Sequence, residues 1–325
     1  MALGFDTLVP EQILDAIECT GLQCTGELLA LNSYENRVYR AALEDGQRVV
    51  AKFYRPGRWS DDAILEEHDY VLRMRESDLD VVAPIMFDED TLLRVDDFRL
   101  AIYPCVGGRW PALEDEALLK QIGRLVARMH LAAERFRFCH RPAIDVVRFG
   151  WEARDAVLDS DFMPPELEDA YESVTDDLLE NVEQQMTVLN CTTLAIHNDL
   201  HPGNLLHDGD TLHVVDTDDA ANGPAVQDLW MLLSGDRDQQ ALQLDAVLAG
   251  YQQFRDFDFA ELGLIEPLRT LRIVHYAAWL ARRWHDPAFQ RAFPWFDGAR
   301  YWNEHILALR EQQDALQTPF TLAST

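Results

Sequence analysis

The sequence predicts an α+β protein of two lobes, a small β-rich one followed by a larger, mainly helical one. Short β-branched and aromatic runs separated by polar turns fill the stretch from Cys24 to about Pro104. After Cys105-Val106-Gly107-Gly108 the apolar positions switch to three- and four-residue steps, the period of helices. The chain has 325 residues, 48% of them hydrophobic, more than one ordinary core requires. The boundary is therefore placed at residue 104, with 1–104 as the first lobe and 105–325 as the second.

In the first lobe, strands are expected at Glu27–Leu31, Arg37–Leu43, Arg48–Tyr54, Thr91–Val95 and Phe98–Tyr103, with turns at Glu44-Asp45-Gly46 and Asp96-Asp97. One helix interrupts them, opening at Ser60 as N-cap, with Asp61 and Asp62 at the positive end of its dipole. Its apolar face is expected to be Ile64, Leu65, Val71 and Leu72. In the second lobe, Leu118, Ile122, Leu125, Val126 and Met129 define a helix over Asp115–Ala133. Further helices are expected near 165–188, 225–233, 239–254, 266–284 and 300–316, and Leu194–Asn198 and Leu212–Val215 read as short strands flanking a polar loop.

The 57 acidic against 28 basic residues would repel a nucleic-acid backbone, so DNA and RNA are excluded as partners. The five cysteines are scattered and form no CxxC pair, which argues for a reducing, cytoplasmic setting without disulfides or a zinc knuckle. Acidic residues break the N-terminal apolar positions, so no signal or transit peptide is expected. The most apolar late stretch, Ile273–Ala281, is too short to span a bilayer, so no membrane partner is expected either.

The chemistry is concentrated in His197-Asn198-Asp199-Leu200-His201-Pro202-Gly203-Asn204, with Asp216 twelve residues further on after an apolar run. Phosphoryl transfer from ATP needs a carboxylate to orient the attacking hydroxyl and accept its proton. It also needs oxygen ligands for the Mg2+ that bridges the phosphates. Asp199, Asn204 and Asp216 have the spacing of those three groups in kinases. A bare Asx-rich turn would carry the loop alone, but not the strand-borne Asp216 and the Lys/Glu pair upstream. Pro202 and Gly203 are expected to keep the segment a tight loop rather than a helix. His197 and His201, four apart but off any helix, read as loop hydrogen-bonding groups rather than zinc ligands. Asp218 reads equally as a second metal group or as a turn stabiliser.

Val49-Val50-Ala51-Lys52 matches the kinase strand that presents a phosphate-binding lysine. Alternation puts Val50 and Lys52 on one face, the first to roof an adenine and the second to reach phosphates. Of the two carboxylates on the following helix, Glu67 lies nearer the apolar face than Glu66 and is assigned as the partner of Lys52. The loop Leu31–Val38 stands where a phosphate-covering loop belongs but contains no glycine; Ser33 and the amides near Asn36 are its candidate phosphate contacts. Adenine is expected near Tyr103–Val106.

His197–Asn204 with Asp216 resembles the aminoglycoside and choline phosphotransferase branch of the kinase-like superfamily, and hence the two-lobed protein-kinase-like fold. Leu31–Tyr39, Lys52–Pro56, Asn222–Leu233 and Asp286–Phe289 resemble more specifically the bacterial stress response kinase A (YihE/RdoA) family, over almost the whole chain. The resemblance implies a cytoplasmic, monomeric serine/threonine protein kinase linked to envelope and oxidative stress, with possible autophosphorylation. It further implies Asp199 as proton acceptor, Asn204 and Asp216 as magnesium ligands, and Ser33 at the ATP site. Where that group usually has Gly, Cys and Ala, this chain has Asn198, Leu200 and Pro202. Asp228 is expected to brace the catalytic loop through backbone hydrogen bonds rather than touch substrate. The rival readings are a small-molecule kinase acting on an aminoglycoside, choline or a homoserine-like alcohol, and a nucleotide-binding scaffold without turnover.

Overall fold

The computed structural model describes residues 5, 8–209, 211–318 and 320–322. Helix α1 (Pro10–Glu18) precedes a five-stranded antiparallel sheet built from β1 (Cys24–Ala30), β2 (Arg37–Leu43), β3 (Arg48–Phe53), β4 (Leu93–Val95) and β5 (Phe98–Pro104). The strand order is β1-β2-β3-β5-β4. Gly46, at φ 85°, closes the β2–β3 turn in the left-handed region that glycine tolerates best. Val50 pairs with Tyr103 and Lys52 with Ala101, so these four residues share one face of the sheet.

Helix α2 (Asp61–Glu76) packs on that face, and Ser60 caps it by accepting from the Ala63 amide at 3.1 Å. Its buried side departs from the expected one. Ile64 and Val71 are buried as expected, but Leu65 is 43% exposed, while Glu67 and His68 are buried at 1% each. The apolar count misled because the helix faces a lysine and an arginine, and buried charge is tolerated where it is paired.

The larger lobe contains α3 (Glu116–Ala132), α4 (Glu152–Leu158), α5 (Pro165–Leu189), α6 (Gln227–Trp230), α7 (Arg237–Tyr251), α8 (Ile265–Arg283), α9 (Pro287–Ala292) and α10 (Ala299–Leu316). Helices α3 and α7 cross closely because Gly123 and Gly250 sit at the contact. A Cβ on either would strike a backbone carbonyl of the other helix. Two apolar clusters fill the lobe, one around α3 and α7, the other around α4, α5, α8 and α10.

Four short strands, β6 (Leu194–Ile196), β7 (Leu205–His207), β8 (Leu212–Val214) and β9 (Ala221–Gly223), form the two hairpin-like pairs β6–β9 and β7–β8. The helix expected at 225–233 shortens to four residues, held between Pro224 and the Asp236 cap of α7. Helices α1, α4 and α9 are too short for a periodic signal, and β7 and β9 too short for an alternating one. Pro202–Asn204 form a single 3-10 turn, as proline at a first helical position allows. Among the described residues no helix is long and apolar enough to cross a membrane, and all five cysteines are unpaired.

Candidate active site

The β7–β8 hairpin fixes two of the expected residues side by side. Asn204 immediately precedes β7, and Asp216 lies two residues beyond β8; the Val215 amide donates to the Asn204 carbonyl at 3.0 Å. The Asn204 side-chain amide donates to the Asp199 carbonyl at 2.9 Å, which joins the third residue to the pair. His197 Nε2 donates to the Val215 carbonyl at 3.0 Å, and its Nδ1 accepts from the Asp199 amide at 3.3 Å. His201 Nδ1 accepts from Gly203 N at 2.9 Å. Both histidines are therefore occupied in shaping the loop.

Beneath the loop lies Asp228, fully buried. It accepts from the amides of His197 at 2.9 Å and Asn198 at 2.7 Å, and from His130 Nε2 at 3.1 Å. With Nε2–H engaged, His130 Nδ1 accepts from the Tyr251 hydroxyl at 2.9 Å. The close α3–α7 crossing thus holds the residue that holds the loop. Asn198 has φ 69°, a left-handed conformation that glycine and asparagine adopt most readily, and its side chain donates to the Asp219 carbonyl at 2.9 Å.

Lys52 is buried at 6% exposure among three carboxylates: Asp218 at 3.0 Å, Asp216 at 3.5 Å and Glu67 at 4.0 Å. Burial alone would drive its ammonium neutral, but Asp218 and Glu67 outweigh it and hold the pKa well above the usual lysine value. Glu67 is the assigned partner, yet Asp218 lies nearer. Glu67 also accepts from Thr217 Oγ1 at 2.6 Å and from Arg141 at 3.4 Å, whereas Glu66 accepts from the Cys139 and His140 amides. Asp218 further meets Arg58 and, at 3.0 Å, the Asn36 amide. Burial opposes its charge, but Arg58, Lys52 and Arg141 hold its carboxyl well below the usual range. The structure thus adds Asn36, Arg58, Arg141 and Thr217 to the residues read from the sequence. Their partners lie 74 to 182 positions away, beyond the reach of any local motif.

Asp216 has φ 58° and a side chain 59% exposed to the cleft. The surrounding protein and the negative charge of Asp218, Asp219 and Asp199 raise its pKa despite Lys52. An excess of negative charge facing open space fits a divalent cation. Among the described residues no three His, Cys, Asp or Glu side chains are placed to hold a metal by themselves. The side-chain oxygens of Asn204 and Asp216 would fit a divalent cation whose other ligands are phosphate and water.

The Leu31–Val38 loop is clasped to the helical lobe. Glu35 accepts from Trp279 Nε1 at 2.8 Å and pairs with Arg283, with Arg55 at 3.2 Å and with Arg58 at 3.5 Å. Asp286 pairs with Arg37 at 3.1 Å and Arg55 at 2.8 Å, and the Tyr34 ring packs 4.9 Å from that of Phe293. Ser33 Oγ, half-buried, donates to the Asn36 carbonyl at 3.2 Å within the loop. Tyr103 turns to the α2 side, its hydroxyl 3.0 Å from that of Tyr54, which in turn meets His68 at 2.8 Å. Val106 is half-buried in the linker that follows β5.

On the other side of the catalytic loop, Arg272 of α8 pairs with Asp199 Oδ1 at 2.9 Å. Nothing in the sequence pattern distinguishes Arg272 from the other arginines of α8.

The profile of the phosphotransferase enzyme family matches residues 27–265. Stress response kinase A of Escherichia coli strain K12 is 44% identical over 98% of this chain and 96% of its own length. The chain belongs to that family, in its stress response kinase A group. The serine/threonine protein kinase RdoA of Salmonella typhimurium strain LT2 is 43% identical over the same shares. Among solved structures, amicoumacin kinase hAmiN, in complex with AMP-PNP, Ca2+ and Ami, aligns with TM-score 0.75 over 96% of this kinase and 94% of that chain at 19% identity. The microcompartment-associated aminopropanol kinase aligns with TM-score 0.68 over 95% and 99%, also at 19% identity. The two-lobed architecture of this kinase is therefore the protein-kinase-like fold of that family.

Proposed function

We propose that this kinase transfers the γ-phosphate of ATP to serine and threonine hydroxyls of protein substrates, itself included, as a cytoplasmic monomer in an envelope or oxidative stress response. The convergence of Asp199, Asn204 and Asp216 on one cleft beside a buried, charged Lys52 supports this most directly. In the reaction, Asp199 accepts the hydroxyl proton while the acceptor oxygen bonds to the γ-phosphorus. The bond from that phosphorus to the β–γ bridging oxygen breaks, and ADP leaves with the electron pair.

Asn204 and Asp216 would hold magnesium, which supplies neutralising charge to the phosphates. Lys52, kept charged by its carboxylates, orients the phosphates, and Glu67 positions Lys52. Ser33 and the loop amides cover the phosphates, with adenine near the Tyr103–Val106 strand end. Residues 1–104 are thereby the nucleotide-binding lobe and 105–325 the catalytic and acceptor lobe.

The test is a labelled-ATP assay with the kinase alone, with a generic protein, and with a panel of aminoglycosides and choline. Phosphoserine or phosphothreonine is expected by mass spectrometry. Efficient transfer to a small amino alcohol with no phosphoprotein would overturn the proposal.

A further inference from the structure

A cleft of about 420 Å³ opens between α6, α8 and α10, walled by Trp230, Ile273, Tyr276 and Tyr301 and carrying Arg269, Arg272 and Glu304, the last paired with Arg300 at 2.7 Å. Arg272 joins this cleft to the catalytic loop, because the guanidinium that lines it also pairs with Asp199 at 2.9 Å. The other arginine is already satisfied. Arg269 stacks 5.0 Å from the Trp230 ring and bonds Glu266 and Gln240, each at 3.1 Å. Two buried polar atoms of lining residues, the Tyr301 hydroxyl and His305 Nε2, have no hydrogen-bond partner among the described residues, and His305 is only 6% exposed. Both atoms keep unused hydrogen-bonding capacity at the wall of the cleft.

The charge balance of the reaction adds a second argument. When Asp199 accepts the hydroxyl proton it becomes neutral, and Arg272 loses the carboxylate paired with it here. An acceptor with its own carboxylate beside the hydroxyl would keep Arg272 paired through the step.

We propose, on the protein-kinase reading above, that this cleft selects acceptors bearing an acidic side chain close to the serine or threonine, and that Arg272 passes from Asp199 to that acidic group. The geometry limits the spacing. A hydroxyl ~2.7 Å from Asp199 and a carboxylate ~2.8 Å from Arg272 lie roughly 5–8 Å apart, which one or two residues of extended chain span. The aromatic walls then hold the apolar part of the same segment.

The experiment uses synthetic peptides with a single serine in a neutral background, carrying Glu, Gln or Lys two residues away. With the full-length kinase, kcat/KM is expected to fall in the order Glu, Gln, Lys, by about fivefold per step and mostly in KM, the range of a partly exposed ion pair. Arg272→Ala should bring the Glu-to-Gln ratio to about one, and Arg272→Lys should restore part of it. In parallel, fluorescence polarisation of labelled peptides with Ala in place of the serine measures binding without transfer. Transfer without any Glu preference, or a ratio that survives in Arg272→Ala, overturns the selectivity and leaves the kinase reading standing. Preferential binding of the Glu peptide with no transfer to any peptide keeps the cleft assignment and overturns the protein-kinase reading. Neither binding preference nor transfer overturns both.

Discussion

Replacing Asp228 by asparagine tests whether the catalytic loop is held from below. The side chain is fully buried and accepts three hydrogen bonds, at 2.7 and 2.9 Å from loop amides and at 3.1 Å from His130. Asparagine is nearly the same size, so no cavity forms. Its one oxygen retains the Asn198 amide, while its NH2 group then faces the His197 amide, donor against donor. His130 adapts by changing tautomer and accepting from the new amide, with its Nδ1–H turned to Tyr251; the His197 amide has no such remedy. A buried amide left unpaired costs about 1–3 kcal/mol, and loss of charge from the remaining bonds adds about 1 kcal/mol. The expected total, about 2–4 kcal/mol, lowers the melting temperature of a 325-residue chain by about 3–6 °C. Because Asp199 follows Asn198 directly, kcat should fall at least about tenfold while ATP affinity stays within about threefold. Scanning calorimetry and steady-state kinetics read the two effects. A melting temperature within ~1 °C of the parent, with unchanged kcat, would refute the bracing argument.

Asp199→Asn should lower phosphoryl transfer by at least about a hundredfold while Mg-ATP affinity, measured by calorimetry, stays nearly unchanged; retained turnover would contradict the proton-acceptor role. Asp216→Ala should weaken nucleotide binding at least about tenfold with magnesium present and little without it, since Asn204 and water cannot replace an anionic ligand; equal affinities under both conditions would argue against metal ligation. Glu261 is 3% exposed; burial, partly offset by the hydrogen bond from the Val226 amide, raises its pKa from 4.5 to about 7. The native state then binds this proton more tightly than the unfolded chain does. Its contribution to stability accordingly falls as pH climbs from about 4.5 to about 7 and stays low above that. Glu261→Gln keeps the acceptor without the charge, so denaturant melts should show it stabilised by about 1–3 kcal/mol at pH 8 and by little at pH 5; an equal difference at both values would refute the assignment.

The strands around Lys52 and the long helices were legible because each repeats its period several times. The catalytic loop was legible because its chemistry is local: Asp199 and Asn204 lie five residues apart, and Asp216 follows one hairpin later. What escaped was set by distance along the chain. Helical angle separated Glu67 from Glu66, and Glu67 lies 4.0 Å from Lys52, but the proximity of Asp218 to Lys52 depends on Asn36, Arg58 and Arg141 converging from three other segments. The burial of His68 escaped too, because its partners, Tyr54 just after β3 and Thr91 just before β4, come from separate segments. Arg272 offered no signal, since an arginine on a helix is ordinarily solvated and only its distance from Asp199 marks it.

The segments that resemble stress response kinase A outside the transfer residues include Leu31–Tyr39, Lys52–Pro56 and Asp286–Phe289, and in space they are one object: Glu35, Arg37, Arg55 and Asp286 meet across the lobes. The family-wide match ends at residue 265, whereas Trp279, Arg283, Asp286 and Phe293, which hold the Leu31–Val38 loop, all lie beyond it. A truncation made at the end of the shared region would keep every transfer residue and still cut that loop from its anchors. The Leu31–Val38 loop of this kinase is thus tied down by residues of α8, α9 and the turn that follows α9, all outside the stretch that the family as a whole shares.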